Sequence, residues 1–223
     1  MQKLITMIGA REGIERATFH RQLLADRAPR LLEGCPALRR YIVNLVDVVP
    51  NVGQPVDPRY DAVTEMWFDT PEEYAGCAEE IERSIRALAG VAYTYHVSER
   101  IQLDEQAPAA PGQRSPGVKA IYLTRRLEGL SEEEAKRRWK AHAPLAMKHH
   151  SGMAKYVQNG VYSAITPGAP VVHGIAELHF PTLADLEQRM YDSAGGRQAI
   201  AADVAGLVAE STVLYTSEYV LRR

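Results

Sequence analysis

Residues 138–150 read RWKAHAPLAMKHH. Three histidines, His142, His149 and His150, stand in this stretch beside Trp139 and around Pro144. Histidine is the side chain that changes charge closest to neutral pH, so acid–base work is the first chemistry to consider. Metal binding is the second. On a helix, His142 and His149 would share a face about 10 Å apart along the axis, too far for one ion. His149 and His150 would diverge by about 100°, and the spacing is not that of a tight helical metal motif. His142 can titrate near neutrality and so is a candidate for acid–base work, and Trp139 can pack against it at i,i+3. Pro144 removes a helical hydrogen bond and disfavours helical geometry at Ala143. The helix is therefore expected to loosen there and turn His142 toward a cavity. His149 and His150 are expected to be solvated at the helix C-terminus, where positive charge is favoured. His20 and His96 are expected at the surface.

A second set of polar groups lies on a strand-like run, VVHGIAELHF, residues 171–180. Side chains alternate faces on a strand. Val172, Gly174, Ala176, Leu178 and Phe180 form a small and apolar set suited to packing under helices. His173, Ile175, Glu177 and His179 form the other, expected to face a central cavity. His173 and His179 are candidates for catalysis there, and Glu177 for binding. Glu177 and His179, or all three with His173, are also the residues to suspect if a haem or metal ion is bound. Trp67 lies on the corresponding face of an earlier strand, with Asp61, Val63 and Glu65. Tyr122, Tyr156, Asn159 and Tyr215 complete the polar candidates. A tyrosine in an apolar cavity can donate to a carbonyl or phenolate oxygen, Tyr122 being the catalytic candidate. The competing reading for each is core packing with the hydroxyl at water.

The elements that must position these groups come in two copies. KLITMIGAREG from Lys3 parallels KAIYLTRRLEG from Lys119, with Glu12-Gly13 on Glu128-Gly129. Ala28-Pro29 parallels Ala143-Pro144 after a one-residue shift, YIVN at Tyr41 parallels YVQN at Tyr156, and EMWFDT at Glu65 parallels ELHFPT at Glu177. Ser98-Glu99 parallels Ser217-Glu218. The order is kept throughout, as a duplication requires. Between the copies, DEQAPAAPGQRSPG has linker composition. The halves are therefore 1–106 and 118–223, joined by a linker over 107–117.

Each half reads strand, helix, strand, strand, helix, strand. In the second, VKAIYLT is a strand, and Ser131 caps a helix with Glu134 at the capping-box position. MAKYVQNGVYS and VVHGIAELHF are strands, Thr182 caps a helix over LADLEQRMY, and TVLYTSEYVL closes the unit. This is the ferredoxin-like βαββαβ order. Such a sheet has helices on one face and must cover the other. Two tandem units are expected to pack their free faces together into an α+β barrel with a central cavity.

At this point the chain resembles the EthD domain family of the dimeric α/β-barrel superfamily. The resemblance rests on the Gly-Leu-Ser helix opening, on Trp139, His142, Ala143, Pro144 and Leu145 as W-x-x-HAPL, and on the following KY strand. The first half is a degenerate copy in which Arg27 replaces His142 and Leu23 roughly replaces Trp139. The resemblance implies the fold and no single reaction, because its relatives include monooxygenases, dehydratases, cyclases, lactone isomerases and haem-handling proteins.

The 223 residues carry a net charge near −2, which argues against a nucleic-acid binder. No run is long and apolar enough for a membrane span, and no secretory signal opens the chain. Cys35 and Cys77 make neither a disulfide framework nor a zinc spacing, so a cytoplasmic protein with reduced thiols is expected. No GxGxxG or P-loop is present, so no cofactor is expected. The leading expectation is a cofactor-independent lyase, dehydratase, isomerase or cyclase acting on a small apolar or aromatic, polyketide-like compound. His142 would move the proton, and Tyr122, His173 or His179 would hold the oxyanion. The alternatives are a cofactor-free monooxygenase of phenolic substrates, a haem or metal protein, and a non-catalytic ligand-binding stress protein. The barrel is expected to pair into a homodimer.

Overall fold

The strands of this chain form one continuous sheet that closes on itself. The computed structural model describes residues 1–52, 56–107 and 109–223; Pro108, inside the expected linker, lies outside them. The strands are β1 (Gln2–Ala10), β2 (Arg40–Leu45), β3 (Ala62–Phe68), β4 (Ala89–Asp104), β5 (Gln113–Arg114), β6 (Val118–Arg126), β7 (Lys155–Ala164), β8 (Gly174–Phe180) and β9 (Val208–Arg222). They pair antiparallel in the order β2-β3-β1-β4-β7-β8-β6-β9, and β9 returns to β2. Two seams, β4 with β7 and β2 with β9, join the halves into an eight-stranded barrel. The short β5 hangs on β9, so residues 113–115 of the inter-half segment are pinned: Ser115 Oγ donates to Glu218 at 2.6 Å.

The helices cover the outer face. The first half carries α1 (Arg16–Gln22), a π-helical turn over Leu23–Arg27, α2 (Ala28–Gly34) and α3 (Pro71–Arg86). The second carries α4 (Glu132–His149), α5 (Leu183–Arg189) and α6 (Ala194–Ala205). Ser131, Thr182 and Thr70 each accept a backbone N–H at their N-caps, as their side-chain oxygens allow. Two sequence expectations need correction. Pro144 does not break α4, which continues through it to His149. The second half also gains α6, which the glycines at 195 and 196 hide from a propensity reading. The π turn explains the one-residue shift in the repeat: the first copy holds one residue more before Ala-Pro, and a wider turn absorbs it.

The barrel interior is filled, contrary to the expected central cavity. Ile5, Met7, Val63, Ile121, Ile175 and Leu214 pack there as one apolar cluster. Beside them lies a buried ionic cluster with the symmetry of the duplication. Lys3 Nζ lies 2.7 Å from Glu65, 2.8 Å from Glu99 and 2.8 Å from Glu177. Lys119 Nζ lies 2.7 Å from Glu177 and 2.9 Å from Glu218, and also pairs with Glu65. Asn44 donates to Glu65 at 2.9 Å, and Asn159 donates to Glu177 at 2.7 Å. Burial alone would lower the Lys3 pKa, but Glu177, Glu65 and Glu99 together raise it. Burial likewise works against Glu177 ionising, yet Lys119 and Lys3 hold it well below the usual carboxylate range. Each buried charge is thus compensated by several partners, the condition for tolerating charge in a barrel core.

Candidate active site

The cavity that could take a small molecule lies outside the barrel, between the second half's sheet and its helices. It measures about 340 Å³. Its floor is the outward face of the sheet, with Tyr122 from β6, Tyr156 from β7 and Ala176 and Leu178 from β8. Its roof is α4, with Trp139 and His142 and, just past its end, His150, and α6, with Ile200 and Val204. The alternation along β8 follows the expected division, but the small apolar face lines the chamber and the polar face does not.

His142 is buried at 8 % exposure. Its Nδ1 lies 2.7 Å from Asp203 Oδ2 on α6. A carboxylate can only accept, so Nδ1 carries a proton, and in the neutral ring the lone pair is then on Nε2. Asp203 itself is part-exposed, with 43 % of its side chain accessible, so the pair sits where the chamber meets solvent. Tyr156 is buried beneath them. Gln158 Nε2 donates to its hydroxyl at 3.0 Å. The Tyr156 oxygen accepts from Gln158, which leaves the hydroxyl's own proton for another partner. Burial pushes the Tyr156 phenol up to about 12, against the lowering effect of Gln158 and Trp139, so it stays a neutral donor. Tyr215 is also pushed up to about 12 by burial, with its hydrogen bond to Tyr122 working the other way.

His150 departs from the expectation of a solvated residue. It is 7 % exposed, stacks obliquely on Tyr191, and has Nδ1 at 2.6 Å from the Met190 carbonyl. Burial lowers its pKa to about 4, so the ring is neutral with its proton on Nδ1. His149 binds Asp192 at 3.0 Å instead of water alone. Of the other histidines, His20 is half-buried against the Asp61 carbonyl, and His96 stacks on Tyr162.

The chamber therefore brings together Tyr122, Trp139, His142 and Tyr156, with Tyr215 bonded behind Tyr122. It does not include the remaining candidates. Glu177 and Asn159 belong to the ionic cluster inside the barrel. Trp67 is also inside, its Nε1 donating to Glu99 at 3.3 Å with Lys3 Nζ 4.7 Å from the ring. His179 is buried 3.8 Å from Glu177. His173 lies in a neighbouring recess, where its Nδ1 accepts the Arg126 backbone N–H at 3.1 Å. The haem or metal reading of His173, Glu177 and His179 does not fit this arrangement, because Glu177 is committed to two lysines and His173 is turned to Arg126. Among the described residues, no group of three or more His, Cys, Asp and Glu side chains is placed to hold a metal ion.

Sequence reasoning missed Asp203, His150 and Gln158. Asp203 had a signal in the duplication: it lies as far before Ser217 as Ser84 lies before Ser98. Ser84 Oγ, in turn, accepts from Arg27 Nε at 3.1 Å, so the pair Arg27–Ser84 stands where His142–Asp203 stands in the other half.

A family model described as the EthD domain matches residues 11–89 and 127–211. Among curated proteins nothing matches. Among solved structures, an anthrone oxidase-like protein superposes with a TM-score of 0.66 at 11 % identity, covering 100 % of this chain and 94 % of the other. A mutant chlorite dismutase from Candidatus Nitrospira defluvii superposes with a TM-score of 0.56 at 9 % identity, covering 99 % and 91 %. At these identities the likeness is one of fold, the dimeric α/β barrel closed here within one chain. Among the described residues no helix is long and apolar enough to cross a membrane.

Proposed function

The chain belongs to the EthD domain family, and on that footing we propose that it is an acid–base enzyme acting on a small, largely apolar, aromatic or polyketide-like compound. The observation that carries the proposal is the His142–Asp203 pair set in the wall of an apolar chamber above the Tyr156 hydroxyl. His142 Nε2 removes a proton from a weakly acidic C–H or phenolic O–H. Asp203 orients the ring and compensates the imidazolium that results. Tyr156 donates its free proton to the oxygen on which negative charge gathers, which lowers the barrier most where water is excluded. Elimination of water, isomerisation and cyclisation all begin with this step. A second reading keeps the step and lets dioxygen oxidise the carbanion; the fold shared with the anthrone oxidase-like protein favours it.

The test reads the proton transfer itself. Anthrone and a panel of hydroxynaphthalenes and linear polyketide analogues are incubated with the protein in D2O, and exchange at carbon is followed by NMR. The expected result is enzyme-dependent exchange of at least one compound, with loss of about 10²–10⁴-fold in His142→Ala. Exchange unchanged by that substitution would remove His142 from the proton transfer, and a ligand bound equally by both proteins and never exchanged would leave a non-catalytic binding protein.

A further inference from the structure

A second chamber of about 390 Å³ adjoins the first, and Thr124, Trp139, Leu207 and Val208 belong to both walls. The wall between them is held by close packing: a Cβ on Gly174 would lie 2.8 Å from the Trp139 ring, so only glycine lets the indole rest on the strand. The two chambers differ in charge. Among the described residues, no lysine or arginine lines the first. Arg126, Lys136, Glu132 and His173 line the second. Lys136 and Glu132 pair with each other one helical turn apart, and their charges cancel. Arg125 takes Glu128 and Glu210. Arg126 makes no ion pair within 4 Å among the described residues, although its charge reaches the Glu132 carboxylate, so the chamber carries one net positive charge. His173 adds a directed donor. Its Nδ1 accepts the Arg126 N–H, so the proton of the neutral ring is on Nε2. Burial, Arg126 and Arg125 all lower its pKa and keep it neutral.

We propose that the two chambers form one bipartite site for an apolar ring compound that ends in a carboxylate. The ring lies against His142 in the first chamber, and the carboxylate is held in the second by the Arg126 guanidinium and the His173 Nε2–H. The inference deepens the acid–base reading and rests on it for the placement of the ring. Arg126 is then a specificity residue, and Trp139 the partition across which the substrate extends.

Calorimetric titration with anthraquinone-2-carboxylate and its methyl ester tests this. The acid should bind the wild type about tenfold or more tighter than the ester, the scale of a charge-assisted hydrogen bond. Arg126→Gln should erase that preference and leave the ester's affinity unchanged, and Arg126→Lys should restore part of it. Equal affinities in the wild type would overturn the proposal. So would a uniform loss for both probes in Arg126→Gln, or no binding of either at millimolar concentration. Because the readout is binding, the acid–base reading fails separately: His142→Ala with the same acid preference, alongside a wild type that exchanges no protons, would sink that reading and keep this one.

Discussion

The two halves of this chain share a barrel interior and differ on their outer faces. Inside, Lys3, Glu65 and Asn44 mirror Lys119, Glu177 and Asn159, and each lysine bridges carboxylates of both halves. Outside, the second half keeps an open chamber under α4 and α6. In the first half the matching space is closed: Phe19, Leu23, Leu31, Met66 and Phe68 are all buried in one core cluster. Arg27 stands where His142 would be, bonded to the Tyr41 hydroxyl and to Ser84. Tyr41 is the counterpart of Tyr156. Its pKa is raised by burial against the lowering effect of Arg27. The interior must close the barrel from both sides, so neither copy is free to drift. The outer faces are independent, and one has been given over to packing.

That contrast can be broken by substitution. The largest effect is expected at His142 and its counterpart. His142→Ala should remove about 10²–10⁴-fold of activity with little change in melting temperature. Arg27→Ala should do the reverse, costing about 2–4 kcal/mol through the lost side-chain volume and the Tyr41 hydroxyl left unpaired, with turnover unchanged. Kinetics paired with thermal melts would check both, and activity lost on changing Arg27 without loss of stability would refute the division. Inside the barrel the halves should instead behave alike. Lys3→Met and Lys119→Met should each cost about 3–5 kcal/mol by leaving buried carboxylates uncompensated. A difference of more than about 2 kcal/mol between them in urea melts, well outside ordinary additivity errors, would break the symmetry.

The next effect belongs to pH. His150 has its pKa lowered from 6.5 to about 4 in the folded chain. Between those values the unfolded chain binds the extra proton, so stability falls as pH falls through that window, by about 3 kcal/mol in all. His150→Gln should flatten this slope. Glu218, held at about 2 chiefly by Lys119 against its burial, adds a second loss below its ordinary value of 4.5 as pH falls toward 2. Among the described residues, the first half has no buried histidine of this kind in its helices, so the slope reports on the second. Smallest is the partition: Gly174→Ala should cost about 1–3 kcal/mol by pushing Trp139 off the strand, visible as a shift in tryptophan emission. An unshifted spectrum would mean the indole does not rest there.

Much of this was legible in the sequence, and the gaps have physical causes. The duplication, the alternation along β8 and the Ser131 cap follow from periodicity and hydrogen-bonding chemistry, which act locally. The location of the cavity does not. Glu177 and His179 look like cavity residues because buried charge is costly, and the lysines that neutralise Glu177 come from β1 and β6, far away in sequence. Asp203 was hidden for another reason. Gly196 is a poor helix former, yet a Cβ there would lie 2.7 Å from His149 Nδ1, so close packing overrides propensity at the start of α6. Pro144 shows the converse, a helix breaker carried inside α4 by tertiary packing.

The seam between β2 and β9 has a consequence for how the chain reaches this shape. During synthesis β2 emerges early, and its partner is the last barrel strand to be made. Until then residues 41–45 present an unpaired, largely apolar edge, the kind of surface on which chains aggregate. The barrel closes by a contact between distant parts of the sequence, which slows folding and lengthens that exposure. A chain shortened before Ser217 would lack the end of β9 that closes the ring and would keep the edge permanently, so its fate should be aggregation rather than a smaller folded protein.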